Sequence, residues 1–156
     1  MRIITMLIAG GLGTLGFNLM FKVNLRHIPV ATLGGIISTG IYVFFDALGA
    51  NVFVSNFIAM LIAAMISEIF ARIFRAPAAV FLLPCTIPLV PGGSLYYTMS
   101  NLMFENYDAM LNYGKSTLLT GLGIAAGMIT ASVIWNTLSH VVLKKSKEKS
   151  EIGKHE

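Results

Sequence analysis

PCTIPLVPGGS, from Pro84 to Ser94, is the stretch on which the fold turns. Its three prolines and a glycine pair interrupt an apolar interval that carries no charge between Arg75 and Glu105. A proline inside a helix removes a backbone donor and clashes with the preceding turn, at about 3 kcal/mol. A continuous helix through Pro84 to Gly93 is therefore not expected. In hydrocarbon the freed backbone groups cannot face lipid, so the interruption has to be buried in protein or line a wet cavity.

The surroundings make that setting a membrane. Of the 156 residues, 56% are hydrophobic and 12% charged, with a mean hydropathy of +0.78. Ordinary soluble domains are about a quarter charged, so a soluble fold is excluded. A helix needs roughly 20 mainly apolar residues to cross about 30 Å of hydrocarbon. The sequence predicts an all-α polytopic membrane protein with five transmembrane helices, at about 3–21, 29–45, 51–70, 77–103 and 116–143, the fourth broken at the Pro/Gly motif. These make up a membrane domain over 1–143, and 144–156 reads as a polar basic tail, disordered beyond its first residues. No room is left for a soluble catalytic domain.

Basic residues near span ends favour the cytoplasmic side. Lys22, Arg26, Arg72, Arg75 and the tail lysines 144, 145, 147, 149 and 154 fall on one side, against Arg2 and Lys115 with Asp46, Glu105 and Asp108 on the other. The N-terminus is thus predicted outside and the C-terminus cytoplasmic. Arg2 ahead of an apolar run resembles a signal peptide, but Lys22 and Arg26 after the run argue against cleavage.

Downstream of the break, the segment from Ser94 through Tyr96 to Met99 restarts a helix whose first amides point back into the gap. Such an end carries roughly half a positive charge and unpaired donors, which attract a carboxylate. Discontinuous helices near the bilayer midplane hold anionic substrate groups in many secondary transporters. Pro88, Pro91, Gly92, Gly93, Ser94 and Tyr96 are accordingly the candidate substrate-binding residues. Pro88 and Pro91 hold the helix open, Gly92, Gly93 and Ser94 offer amides to a small carboxylate-bearing solute, and Tyr96 borders the pocket. Glu68, expected near the end of the third span and four residues before Arg72, is the proton-coupling candidate, because a carboxylate inside a span is costly.

Other motifs carry less. Gly11, Gly13 and Gly16 match GxGxxG by letter, yet no strand precedes them, and a dinucleotide site is rejected. With the Gly34/Ser38 and Gly123/Gly127 pairs they read as flattened helix faces for close packing. Asn18 and Asn136 read as interhelical hydrogen-bonding groups, Asp46 as part of a solvated turn and His140 as interfacial. One cysteine, Cys85, excludes an internal disulfide, and His27, His140 and His155 are too scattered for a metal site. No P-loop, cofactor motif or nucleophile–base set is present, so neither an enzyme nor a nucleic-acid binder is expected.

Two stretches carry a family resemblance: GFNLMFKVNLRHI (Gly16 to Ile28) and ARIFRAPAAVFLLPCTIPLVPGGSLYYTM (Ala71 to Met99), the latter with Pro77, Phe81, Ile87, Pro88, Pro91, Gly92 and Tyr96 in order. The chain resembles the threonine/serine exporter family, in particular the short second subunit of its split, two-protein form. The resemblance implies export of small amino acids such as threonine and serine, or in one branch a dicarboxylate such as succinate, across the bacterial inner membrane, with the proton gradient as driving force. It also implies a larger multi-span partner subunit. Size alone argues the same way: alternating access rocks paired repeats, five spans do not halve, and the chain either forms a homo-oligomer or joins a second protein. A non-transporting scaffold for that partner is the rival reading.

Overall fold

The computed structural model describes the backbone of residues 2–152 and the side chains of residues 3–138. His140, His155 and the side chains of Arg2 and the tail lysines lie outside the described set. Six α-helices follow one another: α1 (Arg2–Met20), α2 (Ile28–Ala47), α3 (Val52–Phe74), α4 (Ala79–Thr86), α5 (Gly92–Met103) and α6 (Tyr107–Ile152), with a 3-10 turn at Ile87–Leu89 between α4 and α5. Among the described residues there is no strand. The fold is all-α. Four helices are long and apolar enough to cross a membrane, and a fifth crossing is added if the bent pair Ala79–Leu89 and Gly92–Met103 counts as one.

Local chemistry sets the helix ends. Pro29 occupies the first turn of α2, where its missing N–H removes no bond. Asn51 caps α3, its side chain accepting from the Phe53 amide at 3.4 Å. Arg75 ends α3 in the left-handed region at φ 50, and the Ala76 amide reaches back to the Ala71 carbonyl at 3.0 Å. α3 therefore runs to Phe74, past the expected boundary at residue 70, and Glu68 lies a turn and a half inside the helix rather than at its end. α6 likewise begins at Tyr107, not at residue 116, so Asp108 and Lys115 are inside a helix instead of preceding one. Its helical backbone also continues through the lysine-rich stretch to Ile152.

Small residues let the helices approach. α1 and α2 are antiparallel: Gly10 faces the Thr39 hydroxyl and Gly35 the Thr14 hydroxyl so closely that a Cβ on either glycine would collide. A Cβ on Gly11 would also be tight, 3.0 Å from Ile36 Cγ1, whereas one on Gly13 or Gly16 would meet nothing within 4 Å. Only the first of the three expected packing glycines in α1 thus serves that role. A Cβ on Gly123 would sit 2.7 Å from the Phe53 carbonyl oxygen, and one on Gly127 2.6 Å from that of Phe57, so α6 lies flat along α3 in the same direction. In the centre, Ala59, Met60, Ala64, Leu89 and Ala131 form the main core. A second cluster closes the end that carries Lys22, Arg26, Arg72 and Arg75. There the Phe81 ring, fully buried, meets His27 at 5.4 Å, Phe74 at 5.8 Å and Phe70 at 6.0 Å.

Candidate functional site

The backbone changes form across the prolines, though helix continues through Pro84 where an interruption is expected. Pro84 is tolerated inside α4, the chain tightens to 3-10 geometry at Ile87–Leu89, and Val90 turns extended at ψ 129. Pro91 then heads α5 with no side-chain cap, and the two helical pieces meet at 46°. The first amides of α5 are orphan donors by construction. Gly92 donates to the Val90 carbonyl at 2.8 Å, closing the turn, while the Gly93 and Ser94 amides reach no backbone acceptor among the described residues.

Beside this gap lies a cavity of ≈ 160 Å³. α2 contributes Tyr42, α3 Val52 and Asn56, the broken segment Pro88, Leu89, Val90, Pro91 and Ser94, and α6 Ser116 and Thr120. No charged side chain lines it. A neighbouring cavity of ≈ 320 Å³, walled by Met6, Ala9, Gly10, Thr39, Val43 and again Tyr42 and Pro88, adjoins it toward α1.

Hydrogen bonding singles out the first cavity. Thr14, Thr39, Ser67, Thr86, Thr98, Thr117 and Thr130 all return their hydroxyls to the carbonyl one turn earlier, the usual way to satisfy such groups in a helix. Ser94, Ser116 and Thr120 do not: among the described residues their hydroxyls have no partner. Asn56, 2% exposed, commits Nδ2 to the Val52 carbonyl at 2.8 Å, which leaves Oδ1 for the cavity it lines. Three hydroxyls and an amide oxygen thus belong to the lining of one polar space, beside the start of α5.

The sequence-predicted residues divide. Pro88, Pro91 and Ser94 line this cavity; Gly92 and Gly93 do not, and both are exposed, with nothing within 4 Å of where a Cβ would be. Tyr96 is 68% exposed and packs edge-on to Tyr97 at 5.5 Å, away from the cavity. Glu68 is half-buried on α3, three turns beyond Asn56 and so roughly 18 Å along the axis. Arg72, one turn on, lies over the Trp135 ring at 4.7 Å. Asn18 does bond across helices, donating to the Thr32 hydroxyl at 3.3 Å. Tyr42, Asn56, Ser116 and Thr120 were not anticipated; an asparagine inside the apolar run of α3, and hydroxyls one turn apart on α6, are the signals that mark them. Among the described residues no group of His, Cys, Asp or Glu could hold a metal ion.

Residues 6–134 match the family described as "Threonine/Serine exporter, ThrE". The chain belongs to the threonine/serine exporter family. Members of that family are transporters, not enzymes, and the long apolar helices fit a multi-pass membrane protein with a transport role. No solved structure matches the chain.

Proposed function

We propose that this chain is one subunit of a secondary transporter that exports small amino acids of the threonine/serine type, and that the cavity at the Pro88–Ser94 gap is its solute site. One observation carries the reading: the hydroxyls of Ser94, Ser116 and Thr120, which line this cavity, have no partner among the described residues and lie beside the start of α5. A carboxylate at that helix end gains the positive end of the dipole and charge-assisted bonds from the Gly93 and Ser94 amides. The ammonium group of the same solute has Asn56 Oδ1 as an acceptor. The volume, ≈ 160 Å³, is near the ~150 Å³ of a cavity that takes up benzene, which suits a small amino acid.

A dicarboxylate is the second reading, and the lining disfavours it. Two carboxylates in a low-dielectric site call for Arg or Lys, which this cavity lacks, whereas a zwitterion has no net charge to neutralise. The clustering of Lys22, Arg26, Arg72 and Arg75 at one end supports an orientation with that end and the C-terminus in the cytoplasm and the start of α1 outside. On this reading the protein resides in the bacterial inner membrane and works with a larger multi-span subunit, and Glu68, on the cytoplasmic side of the cavity, carries the coupling proton. The test is efflux of labelled threonine, serine and succinate from cells expressing this chain, the larger subunit, or both. Export of threonine or serine only with both chains is expected. Succinate as the sole substrate would overturn the solute assignment, and unchanged solute affinity after Thr120→Val in the assembled complex would reduce this chain to a scaffold.

A further inference from the structure

The polar cavity at the gap has an apolar neighbour, and a pair of side chains belongs to both. Tyr42 on α2 and Pro88 at the break line the two spaces alike. In the second, Met6, Ala9 and Gly10 of α1 join Thr39 and Val43 of α2 around a cavity of ≈ 320 Å³, against ≈ 160 Å³ for the polar one. α1 contributes here because it packs against the 3-10 turn at Ile87–Leu89 as well as along α2. Gly10 is a glycine for a local reason: the Thr39 hydroxyl stands where its Cβ would be.

The two linings differ in kind. Ser94, Ser116, Thr120 and Asn56 give the first its free polar atoms. In the second, the Thr39 hydroxyl is committed to the Gly35 carbonyl at 2.8 Å, Pro88 has no N–H to offer, and Met6, Ala9 and Val43 are apolar. Neither lining holds a charged side chain. An amino acid with an aliphatic side chain is divided in the same way. Its charged groups need donors and acceptors, and its hydrocarbon gains about fourfold in affinity for each methylene taken out of water. A charged side chain in the second cavity would have no partner, at a large desolvation cost.

We propose that the cavity between α1 and α2 receives the side chain of the solute, and that the substrates therefore extend to aliphatic amino acids such as valine, leucine and methionine. The inference rests on the polar cavity being the solute site. Serine and threonine fit within that cavity, whereas a longer side chain passes Tyr42 and Pro88 into the apolar one. Tyr42 and Pro88 are thus the threshold between head and side chain, and Met6, Ala9 and Val43 set the length and bulk that can be held. Lysine and glutamate are refused.

The test uses inside-out membrane vesicles from cells expressing this full chain with the larger subunit, where uptake of labelled threonine reports export. Unlabelled leucine is expected to compete at a concentration roughly tenfold or more below that of glycine, which has no side chain, and labelled leucine to be taken up itself. Lysine and glutamate are expected not to compete. Ala9→Phe, at an exposed position on the wall of the second cavity, should fill that space and abolish leucine's advantage while threonine uptake stays within about twofold. Met6→Ala, which widens the same space, should let phenylalanine compete where it does not with the unaltered chain. Threonine uptake with leucine no better than glycine, or a leucine advantage unmoved by both variants, would overturn this inference and leave the polar site standing. Uptake of none of threonine, serine and leucine would overturn it together with the solute assignment.

Discussion

Ser38 donates its hydroxyl proton to the carbonyl oxygen of Cys85 at 2.9 Å, joining the middle of α2 to the backbone just before the break. The Cys85 carbonyl sits one 3-10 turn ahead of Pro88, which has no N–H to give it. A side chain from a neighbouring helix thus satisfies a backbone acceptor that the proline leaves exposed, and Ser38 is fully buried in doing so. Ser38→Ala is expected to destabilise the protein by about 1–3 kcal/mol, the cost of a buried acceptor left without a donor. Thermal unfolding in detergent reads this, and an unchanged midpoint contradicts the role.

Gly34 and Gly92 should respond in opposite ways to the same added methyl. A Cβ on Gly34 lies 2.5 Å from Cys85 Sγ, while Gly92 has open space around it. Gly34→Ala is expected to cost about 1–3 kcal/mol through overpacking, and Gly92→Ala to stay within about 0.5 kcal/mol. Combining Gly34→Ala with Cys85→Ala removes the clashing sulfur and should recover most of the loss. A double variant no better than the single one would show that the collision is not the cause.

Transport should be sensitive to the cavity and indifferent to Tyr96. Asn56→Leu and Thr120→Val delete polar groups from the solute space, and each is expected to lower efflux at least tenfold in the assembled transporter, since a lost hydrogen bond to a charged group is worth about 1.5–3 kcal/mol. Tyr96→Phe, on an exposed ring, is expected to leave efflux within twofold. The reverse ranking would move the site to the α5 surface.

Glu68 and the cavity are separated along α3, so a coupling role predicts a split phenotype. Glu68→Gln is expected to abolish uphill export driven by a proton gradient while leaving solute exchange at equal concentrations within about threefold. Parallel loss of both would assign Glu68 to the fold instead, and retention of both would remove it from the mechanism.

Much of this arrangement was legible in the residues, because the strongest signals are local. Three prolines and two glycines within PCTIPLVPGGS disfavour a continuous helix, and the chain bends by 46° between Leu89 and Gly92. Gly123 and Gly127, one turn apart, mark a helix face that a partner backbone can approach, and α3 does so. What the residues did not disclose are relationships made only by packing. Tyr42, Asn56, Ser116 and Thr120 come from three helices and meet because α6 is set along α3 in one particular register. Lys115 read as the limit of a span because charge is costly in lipid, yet α6 begins at Tyr107, well before it. Tyr96 follows the motif closely in sequence, but the helical turn swings it to the opposite side of α5.

The ring cluster of His27, Phe70, Phe74 and Phe81 bears on how turnover proceeds. It fills the basic end of the bundle, so on the proposed reading a solute seated beside Pro91 has to pass this cluster to reach that end. Opening that stopper separates aromatic edges and faces, contacts worth about 0.5–1.5 kcal/mol apiece beyond their burial, rather than a network of salt links. On the proposed transport reading, passage toward the basic end is the parting of an oily throat.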